Sequence, residues 1–184
     1  MTRFKSAVLT ATTLCLLSSP VLAQGYGEPG STPEVIRDEM LGQFSRSSDK
    51  MTQLSEAVPA ELYGWSPGEG VMTVARVYAH IAHYNFMYLA ENLGITAPEG
   101  VDWENLESLT DKTDITAALR GSIAHVKEQV GAMTEDDLTA TTVLYGREVP
   151  GWAVLVQLVA HMNEHVGQSV AYARVNGIVP PWSR

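Results

Sequence analysis

The chain has 184 residues, 45% of them hydrophobic, with 12 Lys and Arg against 21 Asp and Glu and a formal net charge of −9. A surface of that sign repels nucleic-acid phosphates, which sets DNA and RNA aside as partners. The one cysteine, Cys15, lies in the opening segment, so the rest of the chain can form neither a disulfide nor a thiol nucleophile of its own.

That opening segment reads as an address. Arg3 and Lys5 form a short positive start, the run from Ser6 to Leu22 carries no charge, and Val21-Leu22-Ala23 offers a small-residue cleavage site before Gln24. The run is too short and wrongly flanked for a membrane span, which needs about 20 apolar residues. Leu14 ahead of Cys15 is not the small residue that a lipid-modified cysteine requires, so no membrane anchor is expected. We therefore expect a signal peptide over residues 1–23, cleaved near Ala23, and a mature protein that is secreted or periplasmic. Removing 23 of 184 residues leaves 161, the size of a single domain, with ten basic and 21 acidic side chains and a net charge of −11.

Residues 24–31, rich in Gly and polar side chains, read as a flexible lead-in to one domain over 32–184. Thr32 can cap a helix, Pro33 suits its first position and Glu34 favours its positive end. Ile36, Met40, Phe44, Met51 and Leu54 then recur in helical phase, which predicts a first helix from about 33 to 57. Pro59 and YGWSPGEG (63–70) end it. A second helix is predicted from Thr73 to Gly94, with Val74, Val77, Tyr78, Ile81, Tyr84 and Tyr88 on one side. A third runs from about Asp114 to Met133, with Ile115, Leu119, Val126 and Val130 in phase. A fourth runs from about Gly151 to Asn176, with Leu155, Leu158, Met162 and Ala173. Four amphipathic helices of roughly 20 residues predict an all-α fold, a four-helix bundle with long connections between helices. TATTVLYGREVP (139–150), rich in Thr and Val, suits a short extended piece. The chain carries no internal repeat, low-complexity tract or Gly-rich phosphate loop.

On the fourth helix, at about 100° per residue, His161, His165, Gln168 and Tyr172 fall in one strip beside the apolar face. Two imidazoles at i and i+4 point the same way one turn apart, a spacing that lets one helix supply two ligands to one metal. The same count puts His80 on the flank of the second helix's stripe and His83 on its solvent side. If the two helices meet, His80 joins the pair, and three nitrogen ligands with open positions make a reactive site rather than a closed structural one. The plain alternative is that the pair are unrelated polar residues and that His80 is simply hydrogen-bonded. His83 and His125 read as surface or second-layer residues, and Tyr78, Tyr84 and Tyr88 as packing residues. HMNEH (161–165) also reads as H-x-x-E-H, a metallopeptidase sequence with Glu164 as base. That reading fails because only 19 residues follow His165, none of them acidic, and Glu164 points to solvent on the helical count.

The segments YGWSP (63–67), VYAHIAHYNFMYLAENLG (77–94) and above all HMNEHVGQSVAYARVNGIVPPWSR (161–184) resemble the DinB-like, damage-inducible superfamily over nearly all of the mature chain. The resemblance implies a four-helix bundle in which a histidine of the second helix and an H-x-x-x-H pair on a later helix bind a metal. These are His80, which precedes Ile81-Ala82 as the family's ligand precedes a small apolar pair, and His161 with His165. His83 stands where relatives often carry an acidic residue, which leaves a fourth ligand or a swap open. The resemblance also implies a homodimer, and either a metal-dependent transferase acting on a low-molecular-weight thiol or a hydrolase.

The expected cofactor is a divalent transition metal, zinc or nickel foremost, since imidazole suits Zn, Ni, Cu and Fe alike. The expected partner is a small-molecule substrate or ligand, with Gln168 and Tyr172 placed to orient it. Export weighs against the thiol version, because the usual thiol cosubstrates are cytoplasmic. The alternative, from another class, is a non-catalytic metal- or ligand-binding helical module.

Overall fold

The computed structural model describes residues 32–183; the expected signal peptide and lead-in lie outside the described residues. The chain forms α1 (Pro33–Ala57), α2 (Val74–Met87), α3 (Lys112–Ala132), a short α4 (Glu135–Thr139), a hairpin of β1 (Thr141–Leu144) and β2 (Arg147–Pro150), and α5 (Trp152–Val175). The expected four-helix bundle is α1, α2, α3 and α5. Among the described residues no helix is long and apolar enough to cross a membrane.

α1, α2 and α3 start where side chains satisfy free backbone N–H groups, whereas α5 starts at Gly151 with no side-chain cap. Thr32 Oγ1 accepts from the amide of Val35, and Thr73 Oγ1 from that of Arg76 at 3.1 Å. α3 begins two residues earlier than its apolar period suggests because Asp111 Oδ1 accepts from the amides of Thr113 and Asp114 at 2.7 and 3.3 Å.

The bundle closes as a ring in which α1 touches α3 and α5, and α2 touches α3 and α5. Its core is Phe44, Met51 and Leu54 of α1, Tyr78, Ile81 and Leu89 of the α2 arm, Ile115, Leu119 and Val126 of α3, and Leu155, Leu158 and Met162 of α5, all buried. Lys112 Nζ donates to the carbonyls of Glu56 and Val58 at 2.9 and 2.7 Å, tying the start of α3 to the end of α1.

Two irregularities shape the end of the bundle nearest the histidines. α2 does not run evenly to Gly94, because over Tyr88–Asn92 it widens into a π-helical turn, a feature that often accompanies functional sites. The hairpin, expected only as an extended piece, turns at Tyr145 and Gly146 with φ of 51° and 73°, the two positive values that a tight two-residue turn requires. It is held to the wide turn by Asn92 Nδ2, which donates to Val143 O at 2.6 Å, and by Thr142 Oγ1, which donates to Asn92 O.

α5 follows the hairpin through Gly151, where a Cβ would lie 2.4 Å from the carbonyl oxygen of Asp137 in α4. Gly151→Ala is therefore expected to lower stability by about 1–3 kcal/mol in urea unfolding, as overpacking against backbone does. The two amide bonds to Asp111 hold its carboxyl below the usual carboxylate range. A depressed folded value means that its contribution is present above the unfolded value and fades as pH falls through the folded one. Asp111→Ala should accordingly destabilise the protein at pH 7, and the gap to wild type should narrow on acidification toward pH 3.

Candidate metal centre

α2 and α5 are neighbours in the ring and run antiparallel. Met72 lies opposite Tyr172, His80 opposite His165, Tyr84 opposite His161 and Tyr88 opposite Gln157, so numbers rise along one helix as they fall along the other. This juxtaposition brings His80 to the His161 and His165 pair. The three residues offer ring nitrogens that all lie within 4.8 Å of one another. Both α5 histidines are 7% exposed and lie deeper than the boundary strip expected for them, whereas Gln168 of the same strip is half-buried as expected.

Hydrogen bonds behind the rings decide which nitrogen faces inward. His80 Nδ1 donates to Glu107 Oε1 at 2.6 Å, and Glu107 Oε2 in turn pairs with Arg76. His165 Nδ1 donates to Gln168 Oε1 at 2.7 Å. With Nδ1 donating outward in both rings, it is the Nε2 of each that faces the interior. His165 Nε2 and His161 Nε2 lie 3.1 Å apart. Burial first, then the neighbouring His165 and His80, lowers the pKa of His161 to about 3, so this ring is neutral at pH 7. His80 is also lowered, by burial, with Glu107 opposing.

The donor set fits one cation. Two nitrogens about 2.05 Å from a shared tetrahedral ion lie about 3.3 Å apart, and their ring centres about 5.2 Å apart. The observed nitrogen pair is at 3.1 Å, and the ring centres of His80–His161, His80–His165 and His161–His165 are at 5.2, 5.1 and 4.5 Å.

Other residues take places that the sequence did not assign. Gln168 and Tyr172, expected to orient substrate, sit behind His165: Gln168 Nε2 donates to Tyr172 Oη at 2.9 Å, and Tyr172 Oη donates to Met72 O at 3.2 Å. Trp65 packs edge-on against Tyr172 at 5.3 Å. Glu107 went unnoticed because it comes from a 3₁₀ turn in the long connection, Trp103–Ser108, where nothing periodic marks it.

The remaining histidines and tyrosines also depart from expectation. His83 is not on the solvent side but half-buried, its Nδ1 donating to Trp103 O at 2.9 Å, and it stands outside the three-histidine cluster. His125, expected at the surface or in a second layer, is not at the surface but buried against the ring of Phe86 at 5.4 Å. Tyr84 does more than pack, since its ring lies 4.3 Å from that of His80 and 5.0 Å from that of His161. It sits one turn beyond His80 on the same helix face, a spacing that could have flagged it. Glu164 is exposed, as the helical count required.

The DinB superfamily model matches residues 43–169. A DinB-like protein from Bacillus cereus ATCC 10987 superposes with a TM-score of 0.68 at 21% identity, covering 78% of this chain and 95% of its own. A DinB-like protein from Bacillus subtilis gives 0.61 at 20% identity, covering 77% and 94%. No curated protein matches the chain. This is a four-helix bundle of the DinB-like fold with a three-histidine cluster between two of its helices. The chain belongs to the DinB superfamily.

Carboxylates that hold a ligating imidazole by its outer nitrogen are commonly worth 10- to 100-fold in metal affinity. Glu107→Ala is therefore expected to weaken zinc binding by about that factor, and Glu107→Gln, which still accepts from His80 Nδ1, by less. Competition against a chelating dye measures both.

Proposed function

We propose that this protein is an exported metal-binding enzyme that holds one divalent transition ion, zinc or nickel, through His80, His161 and His165. Its reaction on a small-molecule substrate is a hydrolysis or a thiol-dependent transfer. The observation that carries the reading is the convergence of three imidazoles, with a ring nitrogen of each within 4.8 Å of the others, while the outer nitrogens of His80 and His165 are already engaged by Glu107 and Gln168. Without an ion the inner nitrogens of His161 and His165 have each other, 3.1 Å apart, whereas a cation would satisfy all three at once. Export is supported by the uncharged run ahead of Ala23.

The ion would supply Lewis acidity, undiminished by anionic ligands, towards a water, a thiol or a carbonyl oxygen. The chain's own residues prepare that site. Glu107 fixes the tautomer and orientation of His80, with Arg76 holding the carboxylate, and Gln168 does the same for His165. Tyr172 anchors Gln168 to the backbone at Met72, and Trp65 packs edge-on against the Tyr172 ring. Tyr84 walls the cluster on the side of His80 and His161.

A non-catalytic metal- or ligand-holding role is the second reading, favoured by the burial of both α5 imidazoles. Elemental analysis of the protein purified without added metal tests the first step common to both, with one equivalent of zinc or nickel per chain expected. Free metal at about 100 times its dissociation constant stabilises by about 2.7 kcal/mol, so chelation should lower the melting temperature by roughly 5–10 °C. His161→Ala should lose both the metal and the shift. A metal-free protein whose melting is indifferent to chelator and to zinc would sink both readings. Azide that alters the spectrum of the cobalt-loaded protein would favour catalysis, and an unresponsive spectrum a holding role.

A further inference from the structure

Glu107 divides its carboxylate between two partners. Oε1 accepts from His80 Nδ1 at 2.6 Å, while Oε2 pairs with the guanidinium of Arg76. Arg76 and His80 stand at i and i+4 on α2, so they share a face one turn from each other, and a single helix offers both a cation and a candidate ligand to the same loop carboxylate. Arg76 also belongs to the first turn of α2, the positive end of the helix, where a basic side chain is disfavoured. Its place there answers to Glu107 rather than to the helix.

A guanidinium on Oε2 has two opposed consequences for His80. It fixes the approach of the carboxylate, which favours cation binding by keeping the imidazole in place. It also draws negative charge toward Oε2, which weakens Oε1 as an acceptor and leaves the ring less able to donate electrons through its inner nitrogen. The first effect has other supports. Glu107 lies in the 3₁₀ turn Trp103–Ser108, which packs against α2, and the His80 ring is lodged against that of Tyr84 with centres 4.3 Å apart. The second effect belongs to Arg76 alone, because among the described residues no other Lys or Arg pairs with Glu107. The side chains of His80 and Glu107 are 14% and 21% exposed, so water screens that charge only in part.

The other outer partner follows the same pattern. His165 Nδ1 donates to Gln168 Oε1, a neutral amide oxygen, so neither engaged ring is backed by an undivided anion. A site built only to hold an ion would gain from an undivided carboxylate, whereas one that polarises a bound molecule would lose by it. We infer that Arg76 is a positioning residue that acts through Glu107 to loosen the hold of His80 on an ion, keeping the centre electron-poor and the ion more Lewis acidic. The inference rests on the metal reading above and adds to it how the affinity of that site is set.

Zinc dissociation constants, measured by competition against a chelating dye, provide the test in wild type, Arg76→Gln, Arg76→Lys, Glu107→Gln and the double variant of Arg76→Gln with Glu107→Gln. Arg76→Gln is expected to bind zinc about two- to fivefold tighter than wild type, the scale of a partly exposed ion pair. Arg76→Lys keeps the charge and should stay nearer to wild type. With Glu107→Gln already in place, the Arg76→Gln step should change the constant by less than about 1.5-fold, because its effect runs through the carboxylate. In zinc-free, nitrogen-15-labelled protein the His80 Nδ1 proton should move downfield in Arg76→Gln as its bond to Oε1 strengthens. A residue that only held the carboxylate in place would instead make Arg76→Gln bind zinc more weakly. The inference is overturned if Arg76→Gln binds zinc no tighter than wild type, if the gain persists in the double variant, or if the proton does not move downfield. Wild-type protein that takes up no zinc overturns it as well, but by failure of the metal reading, which the uptake measurement reveals before the variants are compared.

Discussion

The arrangement depends on the antiparallel contact between α2 and α5, which turns three imidazole rings toward one point and buries them. Burial makes the charged forms of His80 and His161 costly, so His161 is held neutral at pH 7. A neutral imidazole turned inward suits a cation. The same burial would be a liability without a partner, because unpaired polar atoms in a low-dielectric interior cost free energy. Outer hydrogen bonds relieve part of this, and each comes from a different place: Glu107 from the long connection after α2, and Gln168 from the next turn of α5.

Charge is distributed with the same logic. The protein is strongly acidic, yet among the described residues the one carboxylate bonded to the cluster is Glu107, and Arg76 lies against it. The widened turn at the end of α2 and the hairpin fastened to it place Tyr88, bonded to Tyr145, beside His161.

Much of this could be read along the chain. Helix phase located α1, α3 and α5 to within two residues at each end, because apolar side chains recur on one face of each and the caps are side chains of Thr32 and Asp111 themselves. The resemblance of the C-terminal stretch picked out His80, His161 and His165. Glu107 was invisible because its role depends on where a 3₁₀ turn in a loop comes to rest against another helix. His83 was set on the solvent side, and His125 left between surface and second layer, for a related reason: a helical count gives an angle on a helix but does not say which loop or ring covers that angle.

The sequence by itself determined four helices, their apolar faces, and a pair of histidines one turn apart, since all of these depend on residues close together in the chain and on the 3.6-residue period. Only the tertiary structure decided that α2 lies antiparallel to α5, that Gln168 and Tyr172 stand behind an imidazole, and that Tyr145 reaches Tyr88. Those relations join residues up to 100 positions apart. They are settled by how whole helices and a hairpin pack against one another, which no local period encodes.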